Sequence, residues 1–92
     1  MKAVLTYRVM EGKNPVEHTK LFDTDKSIKI CNIKNRYDKI MQELYISKTG
    51  ILFNLDIKKG TLEVPDQKKC KEWLGRENPD KYIEFFGRPE EA

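Results

Sequence analysis

Residues 51–64, with the sequence ILFNLDIKKGTLEV, contain the clearest structural signal in the chain. Apolar and polar side chains alternate from Phe53 to Ile57, and a second short run follows at Thr61–Val64 after a Lys-Lys-Gly break. Alternation with period two places the apolar residues on one face of a strand, and a short glycine-containing break joins two such runs in a β-hairpin. The segment therefore predicts two antiparallel strands.

A second hairpin is predicted at the N-terminal end. Residues Ala3–Met10 are rich in β-branched and aromatic types, which favour strands, and Val16–Phe22 resembles them. Between these runs, Gly12 tolerates positive φ and Pro15 restricts the backbone, as expected for a turn. Residues 23–26 (Asp-Thr-Asp-Lys) predict another turn.

The next stretch is ambiguous. Ser27–Cys31 alternates like a third strand, but it also joins a run of apolar residues spaced by three and four, which predicts a helix over residues 33–47. Asn32 is the expected N-cap and Gly50 the expected stop, with an earlier start near Thr24 as the alternative. The apolar stripe of this helix consists of Ile33, Tyr37, Ile40, Met41, Leu44 and Tyr45.

Two short helices are predicted at the C-terminal end. The first opens at Pro65-Asp66, ends at Gly75 and carries an apolar stripe. The second opens at Asn78-Pro79, which combines a capping side chain with proline at the first helical position, and ends at Gly87. The first stripe consists of Cys70, Trp73 and Leu74, and the second of Tyr82, Ile83, Phe85 and Phe86.

The predicted order of elements is β-β-(β)-α-β-β-α-α. This order predicts a single small α+β domain over residues 1–88, with one antiparallel sheet of four to five strands and the helices packed on one face. Residues 89–92 are expected to form a short flexible tail.

Composition argues against several functional classes. Charged residues make up 36% of the 92 residues and hydrophobic residues 38%, with no apolar run long enough for a signal peptide or a membrane span. Two cysteines, Cys31 and Cys70, and one histidine, His18, supply too few ligands for a zinc site, and no cofactor motif is present. We therefore expect a cytoplasmic protein without metal or cofactor. The Lys, Ile and Asn content is compatible with a phage or another mobile element.

Charge is unevenly distributed along the chain. Residues 1–25 are neutral, residues 26–71 carry +6 and residues 72–92 carry −3. The basic middle segment raises the hypothesis of an RNA- or single-stranded-DNA-binding protein, because lysine and arginine neutralise phosphates. However, 14 of the 18 basic residues are lysine, and arginine is the better residue for bidentate phosphate recognition. The candidate nucleic-acid contacts are Lys34, Arg36, Lys58, Lys59, Lys68, Lys69 and Lys71.

The favoured hypothesis is a non-enzymatic binding protein, an inhibitor or adaptor that occupies the surface of a protein partner. Aromatic side chains supply contact area and lysines steer association with an acidic surface. The candidate contacts are Lys58, Lys59, Lys68, Lys69, Trp73, Tyr82 and Phe86. The competing interpretation is that the C-terminal aromatic residues form a lid that closes the core.

Two further hypotheses remain open. His18, with Glu17 and Lys20 nearby in sequence, is the only residue that suggests a small metal-free RNase, but general acid–base chemistry needs a second positioned group. A homodimer is the other, because edge strands at Ala3–Met10 or Thr61–Val64 offer unpaired backbone groups to a second copy.

Overall fold

The computed structural model describes residues 1–92 and contains six β-strands and two α-helices, which confirms the predicted α+β class. The elements are β1 (Lys2–Glu11), β2 (Asn14–Asp23), β3 (Ile28–Lys34), β4 (Ile40–Ile46), β5 (Leu52–Asp56), β6 (Thr61–Glu63), α1 (Gln67–Glu77) and α2 (Pro79–Phe86). A single 3₁₀ turn, Thr24–Lys26, lies between β2 and β3, where the sequence predicts a turn.

The strands form two antiparallel sheets rather than the single predicted sheet. One is a two-stranded ribbon, β1–β2, in which Lys2 pairs with Asp23 and Glu11 with Asn14. The other is a four-stranded meander in the order β3-β4-β5-β6, and it contains the hairpin predicted from residues 51–64. Strand β6 is an edge of this sheet, and β1 pairs only with β2.

The predicted helix over residues 33–47 is wrong, because this segment forms a β-hairpin instead. Strands β3 and β4 pair antiparallel around a turn at residues 35–39. Asn32, the expected N-cap, lies within β3, and Gly50, the expected stop, lies in the turn between β4 and β5. The strand suggested by Ser27–Cys31 is present and extends to Lys34.

Both faces of the four-stranded sheet are covered, one by the two helices and the other by the β1–β2 ribbon. On one face, Leu44, Ile46 and Leu52 pack with Leu74 of α1. On the other face, Phe53 packs with Phe22 of β2, with ring centroids 5.1 Å apart. Alternation along β5 sends Leu52 to the helices and Phe53 to the ribbon. The helices therefore lie on one face, as predicted, with the ribbon on the opposite face.

Helix α1 continues past Gly75, so the prediction that this glycine ends the helix is wrong. Gly75 instead lies inside the helix and faces α2: a Cβ built at this position would lie 3.4 Å from Cδ2 of Tyr82, at the short limit of ordinary van der Waals contact. The helix begins as predicted at Asp66, whose side chain accepts a hydrogen bond from the backbone N–H of Lys69 at 3.0 Å. It ends at Asn78, whose N–H donates to the carbonyl of Leu74 at 2.8 Å.

Gln67 attaches the start of α1 to the sheet. Its Oε1 accepts from the backbone N–H of Leu52, and its Nε2 donates to the carbonyl of Leu52, both at 2.8 Å. Strand β6 pairs only with residues 54–56 of β5, so the Gln67 amide supplies the hydrogen bonds that a longer β6 would make.

Helix α2 matches its prediction. The Asn78 side chain accepts from Lys81 N–H at 3.3 Å, Pro79 occupies the first turn, and Gly87 follows the last residue with φ 87°. The two helices have eleven and eight residues, and neither is long and apolar enough to cross a membrane.

Candidate interaction surface

The turn between β3 and β4 holds two side chains out into solvent. Asn35 closes the turn, because its Oδ1 accepts from the backbone N–H groups of Tyr37 at 2.9 Å and Lys39 at 3.1 Å. Asp38 adopts a left-handed conformation with φ 61°, which aspartate tolerates better than most residues. At the apex, the Arg36 guanidinium carbon lies 5.0 Å from the ring centroid of Tyr37, a cation–π distance. Tyr37 is 75% exposed, so the local hydrogen bonds, rather than core packing, fix the backbone that carries it.

The turn between β5 and β6 lies beside this apex. Asp56 Oδ1 accepts from the Lys59 N–H at 2.9 Å, and its carbonyl accepts from Gly60 at 2.8 Å. Gly60 has φ 65°, a conformation that glycine adopts without strain. The Ile57 N–H donates to the Met41 carbonyl at 3.1 Å, which joins this turn to β4.

Together the two turns form what we call the tip surface. It combines exposed apolar side chains with basic side chains around a shallow depression of about 310 Å³. Its members are Lys34, Arg36, Tyr37, Lys39, Ile40, Met41, Ile57, Lys58 and Lys59. Tyrosine, methionine and arginine are enriched at the centres of protein interfaces, whereas lysine is depleted there and the rim is polar. An apolar centre bordered by lysines is therefore compatible with a contact surface.

The tip surface has an excess of positive charge. Lys34 pairs with Asp38 at 3.2 Å and Lys59 with Glu63 at 3.9 Å. Three other cations of the surface, Arg36, Lys39 and Lys58, form no ion pair. The carboxylate of Asp56, which accepts a hydrogen bond from the Lys59 N–H, offsets part of this positive charge. The unpaired cations therefore create a field that attracts an acidic group.

The sequence-predicted lysines fall into two separate places. Lys58 and Lys59 lie on the tip surface, at the end of β5 marked by Asp56. Lys68 and Lys69 lie in the first turn of α1, which Gln67 attaches to Leu52 at the opposite end of β5. The two pairs therefore lie on different elements: Lys58 and Lys59 belong to the tip surface, whereas Lys69 lines a cavity between α1 and the sheet with Gln42 and Asn54.

The sequence-predicted aromatic contacts pack inward. Trp73, Tyr82 and Phe86 are half-buried against the cluster formed by the helices and the sheet. Tyr82 and Phe86 have ring centroids 5.4 Å apart, and the Lys71 ammonium lies 4.4 Å from the Phe86 centroid. This arrangement favours the interpretation of the C-terminal aromatic residues as a lid on the core.

Sequence reasoning missed four apolar members of the tip surface. The helical spacing predicts Tyr37, Ile40 and Met41 on a buried stripe, and the alternation at residues 53–57 predicts Ile57 as a strand residue. All four are exposed. The signal that would have found them is the run Asn-Arg-Tyr-Asp-Lys at residues 35–39, because asparagine and aspartate at this spacing favour a turn.

His18 lies on the ribbon. Its ring stacks on Tyr7 with centroids 5.7 Å apart, and its Nε2 lies 3.7 Å from a Glu11 oxygen. Glu17, its neighbour in sequence, pairs instead with Arg8 at 3.2 Å. Successive residues of a strand point to opposite faces, so Glu17 and His18 lie on different sides of the ribbon.

Both cysteines are free and half-buried beside the helices. Burial raises the pKa of the Cys70 thiol to about 11. Burial also raises the pKa of Cys31, an effect that the Lys81 and Lys29 ammonium groups oppose. Both thiols are therefore protonated at neutral pH and are weak nucleophiles. The chain has no cluster of three or more histidine, cysteine or carboxylate side chains that could hold a metal ion.

Comparisons with known proteins return no relative: the chain matches no protein-family model, no curated protein and no solved structure.

Proposed function

We propose that this protein is a small binding protein that occupies an acidic surface of a protein partner through its tip surface. The main support is that exposed apolar side chains and unpaired cations lie together on two adjoining turns. The apolar side chains are Tyr37, which is 75% exposed, Met41 and Ile57. When a partner covers exposed apolar side chains, their removal from water makes the free energy of binding more favourable.

Preorganisation supports the proposal. The Asn35 hydrogen bonds and the Met41–Ile57 backbone hydrogen bond hold the two turns before any partner arrives. A surface that is already ordered loses less conformational entropy on binding than a flexible loop does.

A protein partner fits the tip surface better than a nucleic acid does. Binding of single strands relies on aromatic rings that stack on bases, and Tyr37 is the one aromatic ring of this surface. Ile40, Met41 and Ile57 offer aliphatic contacts, which suit apolar side chains of a protein. The basic side chains of the tip surface then increase the rate and the specificity of association with acidic residues of the partner.

Another exposed apolar patch lies on the outer face of the ribbon, where Val4 and Leu21 pair across the strands. This face also carries the Thr6–Thr19 hydrogen bond and the Arg8–Glu17 ion pair, and Lys2 is its cation without an ion pair. It has one unpaired cation, whereas the tip surface has three, and it therefore serves as the internal control for apolar exposure without a strong positive charge.

The proposal is tested by quantitative affinity capture from the native host with three forms of the protein. The double variant Tyr37→Ala/Ile57→Ser removes the apolar centre of the tip surface. The double variant Val4→Ala/Leu21→Ser removes apolar area at side chains that are 67% and 63% exposed on the ribbon. We expect the tip variant to lose a stoichiometric partner by about 30-fold or more in affinity, as a central aromatic contact contributes about 2 kcal/mol, and the ribbon variant to retain it.

Equal retention by both variants, or loss in the ribbon variant alone, would contradict the proposal. Recovery of nucleic acid instead of protein, with affinity that falls steeply as salt increases, would replace it with the nucleic-acid hypothesis. Light scattering on the same samples measures the molar mass and so tests the homodimer, which remains a prediction.

A further inference from the structure

A second basic site lies at the opposite end of the molecule from the tip surface. A cleft of about 210 Å³ opens where the end of β2, the 3₁₀ turn and the β4–β5 turn meet. Three lysines from these three elements line it: Lys20, Lys26 and Lys48. All three are exposed, and none forms an ion pair.

The cleft has polar hydrogen-bond donors as well as charge. In the β4–β5 turn, Ser47 Oγ accepts from the Ile51 N–H at 3.0 Å and lies 3.3 Å from Thr49 Oγ1. When Ser47 donates to Thr49, the Thr49 proton is free to donate into the cleft. Gly50 completes the turn with φ 85°, and its N–H donates to the Ser47 carbonyl at 3.0 Å.

The charge balance of the cleft matches a dianion. Asp23 is the one acidic residue among its lining residues, and Oδ1 of Asp23 already accepts from the Asp25 N–H at 3.0 Å. Three lysines and one carboxylate leave a net charge of +2. A phosphate monoester carries about −1.5 to −2 at neutral pH, whereas a carboxylate carries only −1.

The floor of the cleft is apolar. Phe22 and Ile51 line it, and Phe22 belongs to the buried cluster beneath the ribbon, whereas Leu21, at the edge of the cleft, is exposed on the outer face of the ribbon. The volume is well above the roughly 10–15 Å³ that one water molecule needs by this measure, and it is enough for a phosphate with a short organic body. It is smaller than the roughly 300–1,000 Å³ of a drug-sized pocket.

From this geometry we infer that the Lys20–Lys26–Lys48 cleft is a binding site for a small-molecule phosphate monoester, separate from the tip surface. The lysine ammonium groups surround the phosphate oxygens, Thr49 donates a hydrogen bond and the apolar floor contacts the organic body. The site does not depend on the proposed protein partner, because none of its residues belongs to the tip surface.

The test is an NMR titration of the full-length ¹⁵N-labelled protein at low salt with glycerol 3-phosphate, and with neutral glycerol as the control probe. We expect saturating shifts of the Ser27, Thr49 and Gly50 amides with the phosphate monoester only, and no comparable shifts at residues 36–39. Shifts spread evenly over basic residues of both ends, or no shifts at all, would overturn the inference.

Two matched triple variants distinguish a specific phosphate site from general electrostatic attraction to a basic protein. Lys20→Gln/Lys26→Gln/Lys48→Gln is expected to weaken binding more than about tenfold, because each charge-assisted hydrogen bond to phosphate is lost. Lys13→Gln/Lys39→Gln/Lys58→Gln removes the same net charge at exposed lysines away from the cleft and is expected to leave the affinity within about twofold of the wild type.

A third variant tests the sign of the electrostatic effect. Asp23→Asn keeps the oxygen that accepts from the Asp25 N–H but removes the negative charge, so it is expected to tighten binding. Equal weakening by both triple variants, or weaker binding by Asp23→Asn, would contradict the site.

Discussion

Replacing Gln67 with alanine is expected to destabilise the fold by about 2–3 kcal/mol. The Gln67 amide makes both hydrogen bonds of the Leu52 backbone on the side of β5 that β6 does not reach. Leu52 is buried at 1% exposure, and a buried backbone group without a partner costs about 1–3 kcal/mol. For the two groups together the cost is about 2–6 kcal/mol. We take the lower part of that range, because the smaller alanine side chain admits water from the half-buried margin of α1.

The assay is urea unfolding followed by circular dichroism and tryptophan fluorescence, since Trp73 lies on α1. A loss of this size lowers the melting temperature of a domain of this length by roughly 10–20 °C. Gln67→Glu is the control, because its carboxylate accepts from the Leu52 N–H but cannot donate to the Leu52 carbonyl unless it is protonated. We therefore expect Gln67→Glu to recover part of its lost stability, relative to the wild type, between pH 7 and pH 4.

A stability within about 0.5 kcal/mol of the wild type for Gln67→Ala would refute the idea that this side chain replaces a strand partner. So would a Gln67→Glu variant whose stability deficit does not depend on pH.

Three further predictions concern the turn, the helix pair and a polar cluster. Asn35→Ala should cost about 1 kcal/mol in urea unfolding and increase hydrogen exchange at residues 36–39, whereas Asn35→Asp, which keeps the acceptor oxygen, should do neither. Gly75→Ala should stabilise the protein by up to about 1 kcal/mol, because alanine favours the helix and its Cβ would make an ordinary contact with Tyr82; destabilisation would show that the helices cannot accommodate it. The hydrogen bond from Lys29 lowers the pKa of Glu43, so its contribution to stability is full above the ordinary pKa of 4.5 and declines as pH falls through the lowered value. The stability difference between wild type and Glu43→Gln should therefore shrink from pH 6 to pH 3, and a constant difference would contradict it.

The sequence predicted those elements whose local signals agree with their tertiary surroundings. The hairpin at residues 51–64 has a turn with glycine at a positive φ, and α2 has an asparagine cap, proline in its first turn and a glycine end. Each of these signals acts within a few residues, so it does not depend on which part of the protein packs against the element.

The β3–β4 hairpin was missed because its sheet is covered on both faces. In β4, Leu44 packs toward the helices and Tyr45 toward the ribbon, so apolar residues follow each other instead of alternating. Strands buried on both faces lose the period-two pattern. A register shift between Lys29 and Cys31 breaks the alternation of β3 as well.

The tip surface was missed for the same reason. Once Tyr37, Ile40 and Met41 are assigned to a helical stripe, they are expected in the core, and only the turn at residues 35–39 brings them to the surface. The lysine cleft depends on three elements that are distant in sequence, and no local pattern places Lys20 beside Lys48.

Site-specific photocrosslinking tests the role of the tip surface most directly. A benzophenone amino acid is placed at position 37 in one form and at position 21 in another, and both are irradiated in extracts of the native host. The proposed mode of binding predicts one dominant protein adduct from position 37, competed by unlabelled wild type and weakened by salt, and none of comparable yield from position 21. An adduct of equal yield from position 21, or none from position 37, would contradict it.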